Sequence, residues 1–182
     1  MAQKEAQNIP ELLKQRVSAA PDKPFLFSEA DKRQFTYREF EAAVKRTARL
    51  LAANGVGRGD VVSLLLPNSV EYVIAYFACW QIGALAGPIN SLLKAQEIEY
   101  VISNSEAKAL LVNAEYLPII ETIRENTLQA VITFDNEAAA TSSVSVTKTP
   151  SPEISSEHEA IIIYTSGTTG KPKGCLLTHG NV

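Results

Sequence analysis

The chain has 182 residues, 46% of them hydrophobic, with 17 Lys and Arg against 20 Asp and Glu and a formal net charge of −3. That is enough apolar material for one substantial core, with two small domains as the upper limit. Binding a phosphate backbone needs a surplus of Lys and Arg on one face, so this balance argues against a nucleic acid partner. The two cysteines, Cys79 and Cys175, sit in the apolar runs ACWQI and GCLLT. They read as packed, reduced thiols of a cytoplasmic protein, and neither has a neighbour at metal-ligand spacing.

The opening segment MAQKEAQNIPELL lacks the basic start and apolar core of a signal peptide. Ile9, Leu12, Leu13 and Val17 recur at helical spacing and predict a helix from Ile9 to Ala20. Phe25 to Phe27, a turn around Asp31-Lys32, and Gln34-Phe35 predict a short hairpin. Thr36-Tyr-Arg-Glu39 is a capping box. Its helix is expected to reach Ala53, with Phe40, Val44, Leu50 and Leu51 inward and Lys45, Arg46 and Arg49 outward. GVGRGD, Gly55 to Asp60, superficially imitates a dinucleotide fingerprint. It follows a helix and precedes a strand, the reverse of that motif, so it is a C-cap and turn. Val61 to Leu66 predicts a buried strand, and Asn68 is read as the cap of the next helix.

Tyr72 to Ile89 imitates a membrane span and contains a G-x-x-x-G from Gly83 to Gly87. A span needs about 20 residues of unbroken helix, and Gly83, Gly87 and Pro88 interrupt the second half. A buried helix ending near Gly83, with Cys79 and Trp80 in the core, then a buried strand Ala84 to Ile89, accounts for the same letters. Asn90 is read as a strand-end turn. Lys94 to Ser103 and Glu115 to Glu125 predict helices; Ala109 to Val112 and Ala130 to Phe134 predict strands. Helix and strand thus alternate, the pattern of an α/β fold with a mostly parallel sheet. Ser, Thr and Pro dominate Asn136 to His158, which reads as a surface linker with His158 in water. Ala160 to Tyr164 then predicts a strand buried on both faces.

That strand delivers the chain into TSGTTGKPKG, Thr165 to Gly174. Gly167, Gly170 and Gly174 let the backbone approach a ligand closely, and successive amides can converge on an anion. Thr165, Ser166, Thr168 and Thr169 add hydroxyls able to reach Mg²⁺, and Lys171 and Lys173 add positive charge. The combination is that of a polyphosphate cradle; the bland alternative is two solvated lysines in a surface turn. A Walker A loop is excluded, because it would need glycine at Thr165 and Ser or Thr at Pro172. The segment GCLL reads as a second strand, so the loop joins two strands like a flap, and Thr178 is expected to cap a following helix. His179, just after that cap, is read as structural, with a general-base role as the lesser reading.

YTSGTTGKPKG, Tyr164 to Gly174, resembles the signature of the adenylate-forming, AMP-binding enzymes. The resemblance extends upstream through Phe35 to Asn90 and Glu97 to Val112, and downstream through LTHGN, Leu177 to Asn181. It implies the N-terminal portion of that family's large domain: a mostly parallel sheet flanked by helices, incomplete at its C-terminus. The expected parts are an α/β subdomain over 1–135, a linker over 136–158, and a strand–phosphate loop–strand unit over 159–182.

The implied reaction is that of an acyl-CoA synthetase of fatty-acid type, with ATP, Mg²⁺ and CoA. The implied phosphate contacts are Thr165, Ser166, Gly167, Thr168, Thr169, Gly170 and Lys173, with Thr165 also a Mg²⁺ ligand. Lys171 falls at a position where the family accepts many residues. The partner implied is a carboxylic acid, and peripheral membrane contact is left open. The family's catalytic lysine, its ribose-binding aspartate and its acidic Mg²⁺ residue are expected downstream of Val182. The 182-residue segment is therefore expected to be an inactive fragment whose last strands lack sheet partners. Alternatives are an aryl-acid or bile-acid-type CoA ligase, or a naturally short, inert phosphate-binding module.

Overall fold

The computed structural model describes residues 6–123, 128–134, 152–165 and 171–182. Helix α1, Ile9–Ala19, starts where Asn8 accepts the Glu11 amide, and Leu13 is its buried contact. Strands β1, Pro24–Phe27, and β2, Gln34–Thr36, form the expected antiparallel hairpin. The capping box is complete. Thr36 Oγ1 accepts the Glu39 amide at 3.3 Å, and Glu39 Oε2 accepts the Thr36 amide at 2.8 Å. It opens α2, Tyr37–Ala53, which buries Phe40, Val44, Leu50 and Leu51 as expected. Lys45, Arg46 and Arg49, expected outward, are half-buried. Gly55 ends the helix region at φ 81°, a conformation that favours glycine.

Next come β3, Val61–Leu65, α3, Val70–Gln81, and β4, Leu85–Pro88. The α3 cap is Ser69, whose Oγ accepts the Tyr72 amide at 3.3 Å; Asn68, expected in that role, is exposed one residue earlier. Gly83 at φ 74° turns the chain from α3 into β4, so the apolar run Tyr72 to Ile89 splits as anticipated. No described helix is long and apolar enough to cross a membrane. Helix α4, Ala95–Asn104, and strand β5, Ala109–Val112, follow.

The helix expected from Glu115 is reduced to a 3₁₀ turn, Ala114–Tyr116, and a four-residue α5, Leu117–Ile120. Pro118 interrupts the ladder between the two pieces, where it starts α5, and the chain closes with i→i−3 bonds from the Thr122 and Ile123 amides to Ile119 and Ile120. Glu125, its expected end, lies outside the described residues. Strand β6 is Ala130–Thr133, β7 is Glu159–Thr165 and β8 is Lys173–Thr178.

Among the described residues the sheet has six strands in the order β6, β5, β3, β4, β7, β8. All neighbours run parallel except β7 and β8. One face packs Val62, Leu64, Ala86 and Leu111 under α1, α2 and α3, centred on the fully buried Phe40. The other packs Leu65, Leu110 and Val112 under Ile98, Val101 and Ile102 of α4 and Ile120 of α5.

Three expectations fail in whole or in part at the β7–β8 end. Strand β7 has partners on both sides, β4 and β8, while β8 pairs on its inner side only among the described residues. Strand β7 is buried only at Ala160 and Ile161; Ile162, Ile163 and Tyr164 are half-covered by Trp80, α4 and the facing strand. Cys175 is exposed, because β8 pairs on one side only and no described helix covers its middle, whereas Cys79 is fully buried. Of the 136–158 segment, residues 136–151 lie outside the described residues, but 152–158 are tied down. His158 is half-buried: its Nδ1 accepts the Ser155 amide at 2.7 Å, and its Nε2 contacts Arg58. The apolar letters gave no sign of this, since its partners are hydrogen-bonding groups 3 and 100 residues away.

Candidate functional site

Strand β3 leads to α3 on one face of the sheet, and its neighbour β4 leads to α4 on the other. Where adjacent strands send their chains to opposite faces, a crevice opens beyond their C-terminal ends, the usual ligand position in open α/β sheets. Leu66 to Asn68 and Ile89-Asn90 follow directly on the C-terminal ends of β3 and β4. Asn90 is locked in the expected turn, its Oδ1 accepting the Leu92 amide at 3.0 Å. Strand β7 is parallel to β4, so Thr165 ends at the same edge of the sheet.

The glycine-rich segment connects β7 to the antiparallel β8, the flap-like hairpin expected. Thr165 pairs with Lys173, Tyr164 with Gly174 and Ile163 with Cys175. Thr165 and Lys173 are both exposed, which puts a hydroxyl and an ammonium side by side at the base of the loop. Ser166, Gly167, Thr168, Thr169 and Gly170 lie outside the described residues. Lys171 is exposed, with Nζ 5.5 Å from the centre of the Tyr100 ring. The Tyr164 hydroxyl donates to Asn104 Oδ1 at 2.9 Å. The nearby α4 residues Tyr100 and Asn104 were not singled out by sequence; their four-residue spacing is the one local signal that they share a helix face.

Among the described residues no group of three or more His, Cys, Asp or Glu is placed to hold a metal. The donor set at this edge is hydroxyl and ammonium. It suits an ion that arrives with its own phosphate and water ligands, as Mg²⁺ does, and does not suit a metal caged by protein alone. The exposed Thr165 hydroxyl fits one ligand position of such an ion.

After β8 the chain makes a turn over 179–181 where a helix start was expected, with Asn181 Oδ1 accepting the Thr178 amide at 3.0 Å. His179, read as structural, is buried. It is 5% exposed, lies edge-on to Trp80 at 6.3 Å, and has no hydrogen-bond partner for either ring nitrogen among the described residues. Burial first, and His158 second, push its pKa below the ordinary histidine value. The folded state therefore keeps the ring neutral, and unfolding takes up a proton once pH falls below the unfolded value of about 6.5. Stability should decline as pH drops through and below that value. Urea midpoints at pH 8 and pH 5.5 check this, with His179→Gln expected to flatten the difference.

Long-chain-fatty-acid–CoA ligase FadD13 of Mycobacterium tuberculosis is 34% identical over 180 residues, which span 96% of this chain and 36% of that protein. Crotonobetaine/carnitine–CoA ligase of Citrobacter koseri is 33% identical over 171 residues, spanning 87% of this chain and 33% of that protein. The chain thus spans about a third of the length of the curated relatives it matches. Among solved structures, the inhibitor-bound N-terminal domain of FACL13 from Mycobacterium tuberculosis superposes with a TM-score of 0.86 at 34% identity, covering 96% of this chain and 45% of that one. The anthranilate CoA ligase AuaEII in complex with anthranoyl-AMP gives 0.83 at 30% identity, covering 94% of this chain and 34% of that one. The family described as AMP-binding enzyme matches residues 13–182, and the chain belongs to that family.

Proposed function

We propose that the chain forms the phosphate-binding part of an ATP-dependent acyl-CoA synthetase. A carboxylate oxygen attacks the α-phosphorus of ATP and the bond to the β-phosphate oxygen breaks, giving acyl-adenylate and pyrophosphate. The thiol of CoA then displaces AMP. The observation that carries this reading is the hairpin base, where Thr165 and Lys173 pair across β7 and β8 at the C-terminal edge of the parallel strands. Lys173 supplies positive charge to the departing pyrophosphate. Thr165, Ser166, Gly167, Thr168, Thr169 and Gly170 supply hydroxyl and amide donors, with Lys171 as an auxiliary charge. Donors fixed where charge develops stabilise a leaving group without reorganising when it departs. Mg²⁺, held by the phosphates, water and the Thr165 hydroxyl, would neutralise charge on the same oxygens.

Fatty acid is the proposed acid class, supported by the name of the Mycobacterium tuberculosis relative. The anthranilate ligase keeps an aryl acid as the second reading. The cytoplasm, where ATP and CoA are abundant, is the proposed compartment. The 182 residues alone are proposed to be inactive, because they span only about a third of the length of the relatives.

The test is to incubate the full-length protein with ATP, Mg²⁺, CoA and either hexadecanoate, crotonobetaine or anthranilate, and detect thioester and AMP by mass spectrometry. Hexadecanoyl-CoA is expected. Anthraniloyl-CoA alone would favour the second reading, and no carboxylate-dependent AMP with any of the three would contradict the synthetase assignment.

A further inference from the structure

Helix α4 touches the residue just before the glycine-rich segment and Lys171 within it, using residues one turn apart. Tyr100 and Asn104 are separated by four positions and so share a face. The opposite face is anchored by Ile98, Val101 and Ile102, which are buried against β5 and the end of β3. Asn104 takes the hydroxyl of Tyr164, the residue just before Thr165. Tyr100 takes the ammonium of Lys171, two residues before Lys173.

The Tyr164 ring reaches α4 by crossing its strand partner Gly174. A Cβ at position 174 would stand 3.2 Å from Tyr164 Cζ and 3.1 Å from Ile162 Cδ1. A side chain at position 174 would press on both Ile162 and the Tyr164 ring, and glycine leaves them room. Burial, and Tyr100 beside it, raise the pKa of the Tyr164 phenol, which stays a protonated donor at neutral pH.

We propose that Tyr100 and Asn104 are positioning residues for the phosphate-binding loop, fixing its entry through Tyr164 and its exit through Lys171 and so setting the affinity for ATP. The inference rests on the functional reading above. The two contacts differ in kind. The Tyr164–Asn104 hydrogen bond is directional and fixes the strand end; the Lys171–Tyr100 contact is a cation–π attraction that confines an otherwise mobile side chain. Both α4 residues contact residues flanking the loop, and the proposal has them act through it.

The experiment is calorimetric titration of the full-length protein and of its Tyr164→Phe, Asn104→Ala, double and Tyr100→Leu variants, with ATP plus Mg²⁺ and separately with CoA. A typical net hydrogen-bond contribution corresponds to a loss of about three- to tenfold in affinity. ATP should bind that much more weakly to Tyr164→Phe and to Asn104→Ala. The double variant should be no worse than either single one, CoA affinity should not change, and melting temperatures should hold within about 2 °C. Tyr100→Leu should weaken ATP binding by about two- to fivefold. ATP affinity within twofold of the parent in every variant would overturn the inference, as would equal losses for ATP and CoA, which mark a merely structural role. A parent protein that binds no ATP would overturn the functional reading and this inference together.

Discussion

Lys173→Ala in the full-length protein should slow carboxylate-dependent ATP–pyrophosphate exchange by about 100-fold, the scale seen when one fixed donor to a developing anion is removed. Position 173 is held by the β7–β8 ladder opposite Thr165, so its backbone does not move when the side chain is shortened. The lost term is then charge neutralisation at the departing pyrophosphate. Lys171→Ala should cost less than about tenfold, because that ammonium rests on an aromatic ring and is not held by the strand pairing. Equal losses at the two lysines would mean that both act as a diffuse positive field and that the hairpin base has no special place.

The second large effect concerns stability. Glu71, the second residue of α3, is 4% exposed at its side chain, and its Oε1 lies 2.7 Å from Arg33 Nη2. Arg33 is 33% exposed and also pairs with Asp31 at 2.5 Å, so it links the β1–β2 turn to the start of α3. Removing Arg33 strands a buried carboxylate, whereas removing Glu71 leaves an arginine that keeps Asp31 and some water. Breaking a buried pair costs about 3–5 kcal/mol. The amides at the α3 N-terminus still favour the orphaned carboxylate, so Arg33→Ala should fall near the lower end, about 3 kcal/mol. Glu71→Ala should cost about 1–2 kcal/mol, since Arg33 remains partly solvated. Urea denaturation of the two variants checks the order. Equal, small losses would show that water reaches Glu71.

The elements of the first 112 residues were legible because each carries its own punctuation. The Thr36–Glu39 box, Gly55 and Gly83 are local signals, and the structure places helix starts, turns and strands where they point. Legibility failed where burial depends on a distant neighbour. Cys175 reads as packed by composition, yet it is exposed, because β8 lies at the edge of the described sheet and no described helix covers its middle. His158 reads as solvated between two glutamates, yet Arg58 and Ser155 enclose its ring.

The glycine-rich signature was recognisable from its letters. Its seat on α4 was not, because the hydrogen bond that makes it joins residues 60 positions apart. Arg33 and Glu71 were equally silent, separated by β2, α2 and β3, which must pack first. Asn68 was passed over as a cap in favour of Ser69, one residue on; both are good capping residues, and only the geometry decides.

The most direct test of the central claim is the crystal structure of the full-length protein with ATP and Mg²⁺. The β- and γ-phosphates should lie within hydrogen-bonding distance of residues 165–173, with Lys173 Nζ on a phosphate oxygen and Thr165 Oγ1 at the metal. Phosphates bound elsewhere, with Thr165 and Lys173 facing only solvent, would contradict the assignment of this hairpin as the cradle.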